Sequence, residues 1–129
     1  MKRLLLALCI FALSCCAKGP GAFKASPTKL EFASVASSKE VKAEEECLIG
    51  YIHLTDDTFK KELPGKMEIL ENKHSSIYKA TLDWITVSVS NDVATISLAK
   101  NNTGLPRYAV VGLTPYAGDS VARIYVTQH

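Results

Sequence analysis

The chain has 129 residues, with 15 Lys and Arg against 13 Asp and Glu and a formal charge of +2. Lys2, Arg3, Lys18 and Lys24 precede the globular part and no acidic residue does, which leaves 11 basic against 13 acidic residues in the remainder. That weakly negative balance excludes a basic nucleic-acid footprint, and about a hundred residues suffice for one hydrophobic core and not two.

The first residues are not part of the fold. Met1-Lys2-Arg3 is a positively charged start, and Leu4 to Leu13 is apolar throughout but too short to span a bilayer as a helix. Ser14-Cys15-Cys16 follows. This is the pattern of a secretory signal, and its end resembles a bacterial lipobox, in which a cysteine becomes the lipidated first residue after cleavage. Two registers compete. Cys15 has Ser14 before it, the small residue such a site prefers, with Ala12 three positions back; Cys16 has Leu13 three back but Cys15 immediately before it. Cys15 is the favoured lipidation site and Cys16 the alternative. An acylated N-terminus holds a protein on a membrane with no spanning helix. Residues 1–15 are thus read as signal and residues 16–27, small and containing Gly and Pro, as a flexible tether. Residues 28–129 form the domain.

Within the domain, the early strands are expected over Thr28 to Ala33, Lys39 to Glu44 and Glu46 to Leu54. Leu30 and Phe32 alternate with polar neighbours and should face the core. Glu44-Glu45-Glu46 reads as a solvated strand end, because consecutive strand residues point to opposite faces and do not converge on a cation. Cys47 is the one cysteine of the domain, so neither a disulfide framework nor a thiolate metal site can be built; a buried free thiol is expected. Residues 55–79 are highly charged. Asp56-Asp57 before Phe59 is a candidate helical start, Pro64-Gly65 breaks it, and Met67 to Glu71 is a short strand or another turn of helix. In a sandwich this segment must lie over the surface or an edge, where it can border a ligand site.

Asp83 to Gln128 organises the chain. Four runs of β-branched and apolar residues are separated by turn chemistry at Asn91-Asp92, at Asn101 to Gly104 with Pro106, and at Pro115 with Gly118. Ala109, Val111 and Leu113 fall on one face of their run, and Ala122, Ile124 and Val126 on one face of theirs. A period of two with one apolar face is what a half-buried antiparallel strand requires. The expected fold is an all-β, single-domain, immunoglobulin-like antiparallel β-sandwich.

The same stretch carries a family resemblance. Trp84-Ile85-Thr86-Val87-Ser88, then Asn102-Thr103-Gly104 followed by Arg107-Tyr108-Ala109, and a closing Ile124-Tyr125-Val126-Thr127-Gln128 resemble the BACON domain, the Bacteroidetes-associated carbohydrate-binding, often N-terminal module. Leu30-Glu31-Phe32 and Ser38-Lys39-Glu40-Val41 are similar to its first two strands. The resemblance implies an immunoglobulin-like sandwich and a glycan or mucin ligand. It also implies a Gram-negative cell-envelope setting, here as an outer-membrane lipoprotein. The chain departs from the pattern at residues 55–79, where an earlier tryptophan is missing.

No catalytic constellation is evident. His53, His74 and His129 are scattered, no Ser/His/Asp motif or phosphate-cradling loop occurs, and nothing suggests a paired-carboxylate cleft among Asp56, Asp57, Glu62, Glu68 and Glu71. The reading is therefore of a non-enzyme without metal or cofactor. Sugar rings stack their C–H faces on exposed aromatic side chains. Tyr108 and Tyr125 share the outward phase of their strands with Arg123 nearby; they read first as a cross-strand pair that stabilises the sheet and second as a ligand face. Tyr116, beside Pro115, is the most exposed aromatic residue expected. Trp84 is the remaining candidate, although a lone tryptophan in a sandwich is more often core. Asn102, Arg107 and Gln128 match the family pattern, with a structural job near strand ends. Two functions stay open: a lipid-anchored glycan-binding module, and a spacer or protein-interaction subunit of an envelope or adhesion complex.

Overall fold

The computed structural model describes residues 23–118 and 120–129, so the signal, Cys15, Cys16 and the tether up to residue 22 lie outside the described residues. The strands run in the order β1 (Ala25–Ser26), β2 (Lys29–Phe32), β3 (Ser37–Ala43), β4 (Cys47–Thr55), β5 (Glu62–Leu63), β6 (Met67–Lys73), β7 (Ser76–Leu82), β8 (Ile85–Ser90), β9 (Val93–Leu98), β10 (Arg107–Pro115) and β11 (Ala122–Gln128). Sheet I has the strand order β1-β3-β9-β8-β7-β6, and sheet II the order β2-β11-β10-β4-β5. Every pairing is antiparallel except that of β2 with β11. The two sheets pack face to face as the expected β-sandwich.

Alternation explains the core. Val41, Val87, Ala94 and Ile96 from sheet I meet Val111, Leu113, Ile124 and Val126 from sheet II, all fully buried. Each Val, Leu or Ile among them contributes about 1.5–3 kcal/mol by leaving water. Leu30 and Phe32 are buried as their phase requires. Cys47 is a buried free thiol, and burial raises its pKa above the ordinary 9.0. Glu44, Glu45 and Glu46 are exposed at the turn between β3 and β4, with the Glu44 carboxylate accepting the Lys24 N–H.

Three two-residue hairpin loops each begin with a residue at positive φ: His74 (58°), Asp83 (51°) and Asn91 (56°). Short polar side chains tolerate this left-handed conformation best, which matches the primed turns that suit strand twist. The Asp83 turn corrects one expectation. Trp84 is its second loop residue rather than part of β8, so it is half-buried at the rim instead of in the core. The Arg107 guanidinium lies 4.5 Å above its ring.

The structure also departs from the sequence reading at both ends of the early domain. Ala25–Ser26, placed in the tether, pairs with β3, and Phe23 is buried. No helical turn forms after Asp56. The Asp56 carboxylate instead accepts hydrogen bonds from the Thr58 N–H at 3.0 Å and from the Thr58 hydroxyl, the competition with helix that short polar side chains offer. These bonds, the hydroxyl's first, lower the Asp56 pKa below 3.8. Residues 55–79 do lie at an edge, but as strands: β6 and β7 form a hairpin that extends sheet I, and β5 closes one end of β4 in sheet II.

Candidate functional site

The outer face of sheet II gathers most of the domain's outward aromatic residues. Its register places Lys29, Tyr125, Val110 and His53 side by side in one row, and Arg123, Gly112 and Tyr51 in the next. Tyr108 lies diagonally from Tyr125, because Tyr108 pairs with Thr127 and Val110 with Tyr125. Tyr108, Arg123 and Tyr125 therefore share one face, as their alternation implied.

Three further residues complete this face. A β-bulge at Gly50 shifts the register between Ile49 and Tyr51, which turns Tyr51 and His53 outward while Ile49 and Ile52 both point into the core. The Tyr51 ring lies over Gly112; a Cβ there would sit 2.3 Å from the ring, so any larger residue would push the ring aside. Tyr51 and His53 are stacked, with centroids 4.6 Å apart and planes 24° apart. The third residue is Phe59, which comes from the loop after β4. Bonds from Phe59 N–H to the Asp56 carbonyl (3.1 Å) and from Asp56 N–H to the Lys61 carbonyl (3.2 Å) tie that loop together. Phe59 meets Tyr108 edge-on at 5.6 Å and Tyr125 at 5.2 Å. Such pairs add about 0.5–1.5 kcal/mol each beyond simple burial.

Phe59 thus forms a ridge between two hollows. One, of about 410 Å³, is bounded by Lys29, Glu31, Phe59 and Tyr125. The other, of about 340 Å³, is bounded by His53, Glu62, Phe59, Arg123 and Tyr125. Each sets a carboxylate and a cation beside flat aromatic surface. Glu31 also bonds His129 at 2.6 Å, and Glu62 stands 3.8 Å from the His53 ring.

The other sequence candidates lie elsewhere. Tyr116 is 61% exposed on the β10–β11 loop, at the end of the sandwich that carries Glu46 and not on this face; its N–H donates to the Glu46 carbonyl. Trp84 is held under Arg107 at the opposite end. There the fully buried Gln128 accepts from Arg107 Nε at 2.8 Å and donates to the Ala99 and Ala33 carbonyls at 2.9 and 3.2 Å. Arg107 and Gln128 are thus structural, as expected. Asn102 is exposed, and its neighbour Asn101 does the bonding: it donates to the Leu105 and His129 carbonyls at 2.8 and 3.2 Å and accepts from the Thr103 N–H at 3.1 Å. Among the described residues no group of His, Cys, Asp and Glu is arranged to hold a metal ion, and no helix is long and apolar enough to cross a membrane.

No protein-family model and no curated protein matches the chain. Two solved structures resemble it. An NMR structure of a protein from Bacteroides thetaiotaomicron superposes with a TM-score of 0.55 at 14% identity, covering 78% of this chain and 75% of that one. A Bacteroides ovatus GH5 xyloglucanase, solved in complex with a XXXG heptasaccharide, gives a TM-score of 0.43 at 16% identity, covering 82% of this chain and 18% of that one. The first likeness supports the fold and nothing further.

Proposed function

We propose that the protein is a non-catalytic carbohydrate-binding module, held at a Gram-negative cell envelope by lipid on Cys15 or Cys16, and that it takes a glycan or mucin chain on the outer face of sheet II. The observation that carries this reading is the joining, on the outer face of sheet II, of the stacked Tyr51 and His53 with Tyr108 and Tyr125 and with Phe59 from the loop after β4. Flat aromatic rings held by strands lose little side-chain entropy when a ligand covers them. The apolar C–H face of a sugar suits such a surface. Lys29, Glu31, Glu62 and Arg123 stand at its borders, where ring hydroxyls need donors and acceptors.

A glycan array probed with residues 23–129, followed by titration calorimetry on the hits, tests this. Tyr125→Ala and Tyr51→Ala should each weaken binding at least tenfold, with little dependence on salt. If no glycan on the array binds, or if both variants bind normally, the reading falls and the spacer or interaction-subunit role replaces it.

A further inference from the structure

The face that carries the aromatic rings also carries an unbalanced charge. Among the described residues, the side chains of Lys29, Lys60 and Arg123 make no ion pair and no hydrogen bond. All three are exposed. The two carboxylates of the same face are already engaged: Glu31 bonds the His129 ring at 2.6 Å, and Glu62 stands 3.8 Å from the His53 ring. Asp56 is turned into its own loop by Thr58, and neither Asp56 nor Asp57 borders either hollow. With neutral imidazoles, three cations therefore face two carboxylates, on a domain whose acids otherwise outnumber its bases. The excess sits on one side of Phe59. The hollow of about 410 Å³ sets Lys29 against Glu31, an even balance. The hollow of about 340 Å³ sets both Lys60 and Arg123 against Glu62. Its floor is Val110, only 5% exposed although it lies outside the core, because the rings around it cover it.

Resting on the glycan-binding reading above, we propose that the glycan taken by this face is acidic, and that its uronic or sialic acid unit sits in the Arg123 hollow with the carboxylate on the guanidinium. Arg123 and Tyr125 are two residues apart on β11, about 6.6 Å along one face. A sugar ring laid against Tyr125 thus brings a carboxylate at its rim to Arg123. The planar guanidinium meets a carboxylate through two parallel N–H···O bonds, a match that an ammonium lacks. Lys60 adds a second positive charge from the loop that carries Phe59. The apolar floor and aromatic walls keep water from part of the pair, which strengthens it over the same pair on an open surface. Glu62, at the opposite rim beside His53, is left to accept from ring hydroxyls. The balanced hollow beyond Phe59 suits a neutral sugar next in the chain.

The test uses residues 23–129, which contain all eleven strands, and titration calorimetry. The probes are an oligogalacturonate and a sialyllactose, each against its own methyl ester, which keeps the rings and removes the charge. At low salt at least one acid should bind about three- to tenfold more tightly than its ester. Raising sodium chloride from about 0.05 to 0.5 M should erase most of that preference, whereas the loss caused by Tyr125→Ala should be the same at both. Arg123→Gln should bring the acid-to-ester ratio close to one. Arg123→Lys keeps the charge without the fork and should retain part of the ratio. Tyr125→Ala should weaken acid and ester alike and preserve the ratio, which separates recognition of the charge from stacking. Arg123 is exposed, so its variants should melt with the parent. Esters that bind as tightly as the acids in both pairs, a preference that survives Arg123→Gln, or array hits confined to neutral glycans would overturn the proposal and leave the glycan-binding reading in place. An array with no hit at all would remove that reading, and this proposal with it.

Discussion

Replacing Gln128 by Ala probes the bond network that closes one end of the sandwich. The Gln128 side chain is fully buried and links Arg107 Nε to the Ala33 and Ala99 carbonyls. Without it, Ala99 keeps a bond from Arg107 Nη2 at 3.0 Å, while the Ala33 carbonyl and Arg107 Nε lose their Gln128 partner. A buried polar group left unpaired costs about 1–3 kcal/mol, and a hydrogen bond to a charged group contributes about 1.5–3 kcal/mol. Arg107 is only partly buried, so water restores some of its share. The net expectation is a loss of about 3 kcal/mol, a large part of the roughly 5–15 kcal/mol that stabilises a domain. Urea and thermal unfolding followed by circular dichroism measure it. The emission of Trp84, the one tryptophan of the chain, should also change, because Gln128 positions the guanidinium above its ring. Gln128→Met, which keeps the volume, separates the polar loss from the cavity and should recover less than half the deficit. A loss under about 1 kcal/mol in both variants would refute the argument that this network stabilises the fold.

Trp84→Ala should cost about 2 kcal/mol, below the roughly 3–5 kcal/mol typical of a core aromatic, because the ring is half-buried; chemical denaturation reads the difference. The Cys47 thiol, raised by burial and then by Asp92 and Glu46, should resist Ellman's reagent at pH 8 until the domain is unfolded. Its folded pKa exceeds its unfolded value, so the stability it contributes is fully present below about pH 9 and is lost as pH rises toward the folded value; Cys47→Val should lack that alkaline loss in paired denaturation curves. Replacing both Cys15 and Cys16 by Ser should move the protein out of the membrane fraction, and persistence there through detergent-phase partition would remove the lipid-anchor proposal.

The strands from Ile85 to Gln128 were legible because each carries an apolar residue at every second position and each break between them carries Asn, Gly or Pro. The aromatic face was only half legible. Tyr108, Arg123 and Tyr125 follow from phase alone. Tyr51 and His53 do not, since unbroken alternation from Cys47 assigns them to the core face with Ile49; the bulge at Gly50 resets the phase. The glycine was the available signal, as an isolated glycine inside a strand often marks a bulge. Phe59 was hidden by its loop, where φ is 61° and acids beside lysines imitate a helix start. Trp84 was misplaced by one hairpin position, and Asn102 by one residue from the bonding Asn101. In both cases local pattern fixed the turn but not which of its residues the neighbouring loops would engage.

The most direct test of the sugar-binding account is a titration of ¹⁵N-labelled residues 23–129 with the best glycan from the array, read residue by residue. The account predicts shift changes centred on Tyr51, His53, Phe59, Tyr108, Arg123 and Tyr125, with Tyr116 and Trp84 unmoved. Changes centred on Tyr116 or on Trp84, with the outer face of sheet II silent, would contradict it.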